Sequence, residues 1–209
     1  MNKETQCEIG ITRPQCRGAR ARVWLFVFAA LWMAAIAYGV EEVRKFESTP
    51  GALGLTPAQW PKDSRIVRDS GRSSLLMLVH PQCSCTRASL DELRSIVSRS
   101  HGAVSAWVLF VRPTGMDQGW ERSATWTQAQ AIPNVTVLLD DKGLEATRFG
   151  ALTSGHVVLY DPGGRLLFSG GITGARGHEG DNVGRRRILG LLDHGIVGRT
   201  GHEVFGCPL

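Results

Sequence analysis

A run of 18 residues without a charged side chain, VWLFVFAALWMAAIAYGV at positions 23–40, constrains this chain more than any other feature. A helix of that length and composition suits the hydrocarbon core of a bilayer. Neither face of the run carries a polar stripe, so it fits poorly as an amphipathic core helix. Lys3, Arg13, Arg17, Arg20 and Arg22 precede it, and the mixed segment Glu41, Glu42, Arg44, Lys45, Glu47 follows. The positive-inside bias therefore keeps the N-terminus cytoplasmic and puts everything after Val40 outside. A cleaved signal peptide shares the basic front, but its apolar core is shorter, and no small-x-small site follows this run. The expected organisation is a cytoplasmic tail (1–22), a transmembrane helix (23–40), a linker (41–65) and one folded domain (66–209).

The formal net charge of +5 comes largely from the arginines beside the apolar run and from Arg185, Arg186 and Arg187. No stripe of Lys and Arg interleaved with aromatics is present, which argues against nucleic-acid binding. Topology then partitions the five cysteines. Cys7 and Cys16 fall on the cytoplasmic side, where thiols stay reduced, at a spacing that matches no metal pattern. Cys83, Cys85 and Cys207 fall outside, where disulfides form, and an odd number leaves one thiol over or exchanging partners.

Residues 48–64, STPGALGLTPAQWPKDS, hold three prolines and two glycines and read as a linker. The first element beyond is a wholly apolar run at 75–79, of strand length and suited to burial on both faces. It leads into HPQCSC. From 86 to 100, Leu90, Leu93, Ile96 and Val97 recur at helical spacing, which predicts an amphipathic helix with the cysteines at its start. A second core strand is predicted at 105–111, a helix at 120–131, a strand at 135–139 and a short helix at 144–149. This alternation implies a partly parallel sheet. Strands at 156–160 and 165–169 flank DPGG, a hairpin signal. A last helix is expected over 183–194, capped by Asp181 or Asn182.

A cysteine at a helix N-terminus has its thiolate stabilised by free backbone N–H groups and the positive end of the helix dipole. A disulfide across Cys83-Ser84-Cys85 closes a ring of about 11 atoms, against about 14 for Cys-x-x-Cys, so it is strained and readily reduced. Such a bond suits exchange better than stapling.

The segments LLMLVHPQCSCTRASLDEL and FGALTSGHVVLYDPGGRLLFSGG resemble the strand, redox motif, first helix and late hairpin of the thioredoxin superfamily. The likeness runs from Ile66 to His194. The HPxCxC motif behind a membrane anchor is similar to that of RedB-like and TlpA-like thioredoxin-domain proteins. The resemblance implies an α/β, thioredoxin-like fold, a mixed central sheet flanked by helices, behind a single N-terminal transmembrane helix. Two departures stand out. One residue separates the cysteines where the family has two, and Gly155 or its neighbour Ser154 stands where the family has a cis-proline. In the relatives that proline helps hold substrates and keeps metals off the thiols, so its loss raises the metal reading.

The hairpin geometry sends the loop 170–182 back toward Cys83 and brings Arg176, His178, Glu179 and Asp181. Its five glycines permit close fitting. His80 and His156 flank the two turns expected at the site. A histidine beside a thiolate acts as base, stabilising cation or metal ligand. Cys207 is a candidate resolving thiol or third ligand.

These residues predict a thiol-disulfide oxidoreductase on the outer face of a bacterial inner membrane, periplasmic and without a cofactor. Cys83, expected to be the more exposed, attacks, and Cys85 resolves. His80, Gly155, His156, Arg176 and His178 are the substrate-binding candidates, and protein thiols and disulfides of the periplasm are the expected partners. One competing reading is a copper or zinc carrier that uses Cys83 and Cys85 with His80, His156, His178 or Cys207. Another is a non-catalytic binding module on the same scaffold.

Overall fold

The computed structural model describes residues 16–194 and 200–209. The chain divides into two compact units, Met1–Lys45 and Phe46–Leu209. The first unit supplies most of helix α1, Cys16–Ser48. Within it Ala21–Ser48 is the one helix, among the described residues, long and apolar enough to cross a membrane. Trp24 and Phe26 on it are 72% and 75% exposed. Of the expected cytoplasmic tail, residues 1–15, Cys7 among them, lie outside the described ones.

The second unit is a mixed α/β domain. In chain order it contains β1 (Ser73–Val79), α2 (Thr86–Arg99), β2 (Val104–Arg112), α3 (Ala124–Gln130), β3 (Val135–Asp141), α4 (Leu144–Arg148), β4 (His156–Tyr160), β5 (Leu166–Gly170), α5 (Val183–His194) and β6 (Thr200–His202). The strands form a six-stranded sheet in the order β3-β2-β1-β4-β5-β6. β1 runs parallel to β2 and antiparallel to β4, with Leu76 opposite both Trp107 and Val158. β4 is antiparallel to β5, so β5 runs in the direction of β1. A β-α-β unit followed by a hairpin and a helix is the thioredoxin-like arrangement that the sequence resembles.

The unbroken apolar character of β1 follows from its central place. On one face Leu75, Met77 and Val79 pack with Leu90, Leu93 and Ile96 of α2 and Ile188 of α5. On the other, Leu76 and Leu78 pack with Phe149, Val158 and Tyr160. Burying each such side chain contributes about 1.5–3 kcal/mol. The hairpin turn forms because Asp161 Oδ1 accepts the Arg165 N–H at 2.8 Å and Gly164 takes a left-handed φ of +87°.

Residues 48–64, expected as a linker, instead line the domain. Gln59 bridges to Arg165, the Trp60 N–H donates to the Gly164 carbonyl at 2.8 Å, and the Tyr160 hydroxyl donates to the Pro57 carbonyl at 2.9 Å. The Trp60 ring meets Phe149 and Tyr160 edge-on, with centroids 5.1 and 5.3 Å apart. Prolines that break regular structure do not prevent docking when an aromatic anchors the segment. The helix expected at 120–131 starts at Ala124, because the Ser123 hydroxyl caps it by accepting the Trp126 N–H at 3.4 Å.

Candidate functional site

β1 delivers the chain to the site and α2 carries it away. Between them the Cys83 N–H donates to the His80 carbonyl and the Thr86 N–H to the Cys83 carbonyl, each at 3.1 Å, in two tight turns. Cys85 is the N-cap residue of α2, and its side chain makes no capping bond. Both cysteines of the motif therefore stand at a helix start, as the sequence implies.

Three cysteines meet here. All are free thiols: Cys83 and Cys85 are buried and Cys207 is half-buried. The Cys207 backbone N–H donates to Cys83 Sγ at 3.4 Å. Cys83 is 2% exposed and Cys85 8%, so the expectation that Cys83 is the more exposed is corrected. The cause is the segment that carries Cys207, which lies over the Cys83 sulfur.

The electrostatics separate the three thiols. Burial alone would raise the Cys83 pKa. It is nevertheless lowered, because donor groups of Cys207, Cys85 and Thr86 set around the sulfur favour its thiolate, with the Cys207 N–H hydrogen-bonded to it at 3.4 Å. Burial and the neighbouring Cys83 push Cys85 up. Burial, the hydrogen bond to Cys83 and its charge push Cys207 up to about 12. Arg176 acts against this rise at both Cys85 and Cys207. Of the three sulfurs, Cys83 is the one held toward the thiolate.

Ser154 ties the site together. Its hydroxyl accepts the His80 N–H at 2.9 Å and shares a 3.0 Å hydrogen bond with the Thr86 hydroxyl, while its N–H donates to the Cys207 carbonyl at 2.8 Å. It precedes Gly155, whose N–H donates to the Leu78 carbonyl at 2.8 Å. Gly155 has φ +86°, a left-handed backbone that favours glycine, and a Cβ there would meet Ser89 Oγ at 2.9 Å and make that hydroxyl shift. No cis peptide occurs among the described residues. Sequence reasoning named Ser154 only as Gly155's neighbour and passed over Thr86. A short polar residue just inside a helix start, three positions after Cys83, is the signal for the latter.

The other candidates separate. His80 adjoins the motif through its backbone; its Nδ1 accepts the Gln82 N–H at 3.2 Å and its ring stands edge-on to Trp120. Desolvation lowers its pKa. Arg176 reaches the site: its guanidinium donates to the Gly206 carbonyl, and its Nε donates to the Phe46 carbonyl at 3.0 Å. His178 is exposed and bonds through Nδ1 to the Arg176 carbonyl. His156 is fully buried in β4, with Nε2 at 2.9 Å from Ser169 Oγ, and desolvation lowers its pKa to about 4. A ring enclosed in this way does not present itself to a substrate. Among the described residues no group of three or more His, Cys, Asp or Glu side chains is gathered to hold a metal ion.

No family model matches the sequence, and no curated protein does. Solved structures do. A hypothetical protein of Sinorhizobium meliloti is 18% identical with a TM-score of 0.54, covering 78% of this chain and 96% of its own. An uncharacterized conserved protein from Geobacillus kaustophilus is 16% identical with a TM-score of 0.55, covering 77% and 91%. A secreted disulfide oxidoreductase of Mycobacterium tuberculosis is 17% identical with a TM-score of 0.40, covering 58% and 81%. At these identities the first two likenesses establish the shared fold. The fold and its cysteine pair define a thioredoxin-like domain, and its chain also carries an N-terminal apolar helix.

Proposed function

We propose that this protein is a membrane-anchored thiol-disulfide oxidoreductase whose nucleophile is Cys83 and whose resolving thiol is Cys85. The observation that carries the reading is the placement of both thiols at the start of α2, with Cys83 Sγ accepting the Cys207 N–H at 3.4 Å, a contact that favours its thiolate. A backbone donor aimed at the Cys83 sulfur assigns the roles, because the thiolate attacks and its partner waits as thiol.

The Cys83 thiolate attacks one sulfur of a substrate disulfide, forms a mixed disulfide and expels the other sulfur as a thiolate. Cys85 gives up its proton and attacks Cys83 Sγ. The Cys83–Cys85 disulfide forms, the substrate leaves reduced, and two electrons have passed to it. Run backward, the same steps oxidise a dithiol. The Thr86 hydroxyl and the two N–H donors stabilise Cys83 whenever it departs as thiolate. The apolar helix supports a single-pass anchor, and the positive-inside bias supports a periplasmic domain on a bacterial inner membrane, acting on protein thiols and disulfides.

The test is to purify the full chain in detergent, cycle it against glutathione and dithiothreitol, and assay metal content in the same sample. Reversible interconversion of the Cys83 thiol and a disulfide within the protein is expected. A pair that cannot be cycled, with copper bound stoichiometrically, would overturn the proposal.

A further inference from the structure

Segment 203–209 is held against the site along most of its length. The Gly171 N–H donates to the Glu203 carbonyl at 3.2 Å and the Gly51 N–H to the Val204 carbonyl at 2.8 Å, with Val204 and Phe205 buried. A Cβ on Gly206 would collide with the Ser154 carbonyl, so the two backbones approach as only glycine allows. Thr153 and Pro208 then form an antiparallel bridge, flanked by the Ser154 N–H to Cys207 carbonyl bond at 2.8 Å and the Leu209 N–H to Leu152 carbonyl bond at 3.0 Å. This is pairing by strand addition. It fixes the register that brings Cys207 to Cys83, with its N–H on Cys83 Sγ at 3.4 Å.

We infer that Cys207 is a third redox thiol and that its disulfide with Cys83 is the form in which the oxidised protein rests. The inference rests on the proposed role of Cys83. With Cys83 2% exposed, the sulfurs positioned to reach it without movement of this segment are those of Cys85 and Cys207. In the step, Cys207 loses its proton and its sulfur attacks Cys83 Sγ of the Cys83–Cys85 disulfide. The S–S bond to Cys85 breaks, the bond to Cys207 forms, and Cys85 leaves as a thiolate that takes up a proton. No external oxidant or reductant enters. The exchange runs forward because the short ring across Ser84 is strained, whereas a bond between segments already packed together closes without that constraint. Arg176, which donates to the Gly206 carbonyl and opposes the rise of both the Cys85 and Cys207 pKa values, favours the two thiolates that the step requires.

The test uses the full chain in detergent, oxidised with glutathione disulfide, alkylated, digested with trypsin and mapped by mass spectrometry. Peptide 73–87 holds Cys83 and Cys85, 200–209 holds Cys207, and 4–17 holds Cys7 and Cys16, so the map tells which peptides are joined, and the Cys85 variants tell which cysteine of 73–87 is used. In the parent a crosslink between peptides 73–87 and 200–209 is expected, and Cys85→Ser and Cys85→Ala should keep it, which assigns its partner as Cys83. Adding Cys207→Ser should remove it completely and leave Cys83 as a glutathione mixed disulfide. If the parent forms Cys83–Cys85 and its Cys207 is alkylated, this inference is overturned, whatever the Cys85 variants show, and the oxidoreductase reading stands. If the parent forms no disulfide at Cys83 at all, both fail.

Discussion

The Cys207 N–H points at Cys83 Sγ from 3.4 Å, although 124 positions separate the two residues in the chain. That contact covers the sulfur and also stabilises its charge. Cys83 is thereby enclosed and acidic together, a combination that burial alone would not give.

The thiolate step of Cys83 should therefore depend on Cys207. In Cys207→Ala the side-chain donor is gone, so Cys83 should deprotonate at higher pH than in the parent. Thiolate ultraviolet absorbance checks this, with the Cys83→Ser titration subtracted to remove the other cysteines. An unmoved step would mean that the Cys207 thiol does not support the charge.

Ser154→Ala should destabilise the domain by about 1–3 kcal/mol, because the His80 N–H and the Thr86 hydroxyl lose a shared partner in a part-buried setting. Denaturant unfolding measures it. A change inside error would show that water replaces the serine.

His156 predicts an acid sensitivity. Its folded pKa of about 4 lies below the ordinary 6.5, so between those values the unfolded chain binds a proton that the folded domain does not. Stability attributable to His156 is complete above about pH 6.5 and declines as pH falls toward 4, by about 2–3 kcal/mol in all. His156→Gln should flatten that part of the stability profile. An identical profile in the variant would contradict the assignment.

Loop 170–182 is fastened to α2 by a buried carboxylate. Glu92, 3% exposed, accepts the Gly180 N–H and the Asn182 side-chain amide at 2.6 and 3.1 Å and pairs with Arg185 at 2.6 Å. Arg185→Ala leaves that charge without its cation and should lower unfolding stability by about 3 kcal/mol. Urea titration reads the loss. A neutral result would show that the two amide donors suffice.

Much of this was legible in the sequence because its signals are local. The wholly apolar β1, the helical spacing of Leu90, Leu93 and Ile96, and Asp161-Pro162-Gly163-Gly164 each announce their own structure, and the predicted strand at 156–160 matches β4, His156–Tyr160. What escaped is set by contacts between distant segments. β6, Thr200–His202, has no alternating pattern and exists because β5 offers it an edge. Trp60 docks a proline-rich stretch that composition marks as a tether. The exposure of Cys83 depends on a segment whose placement no periodicity encodes, and His156 looks like a site histidine until β5 and Ser169 enclose it.

The central claim is that Cys83 performs the exchange. Its most direct measurement is the rate at which the full chain in detergent reduces a peptide disulfide under dithiothreitol turnover, parent against Cys83→Ser. Loss of turnover to the uncatalysed rate, in a variant that retains the parent's unfolding midpoint, is the predicted result. A folded Cys83→Ser protein that turns over at the parent's rate would contradict the account.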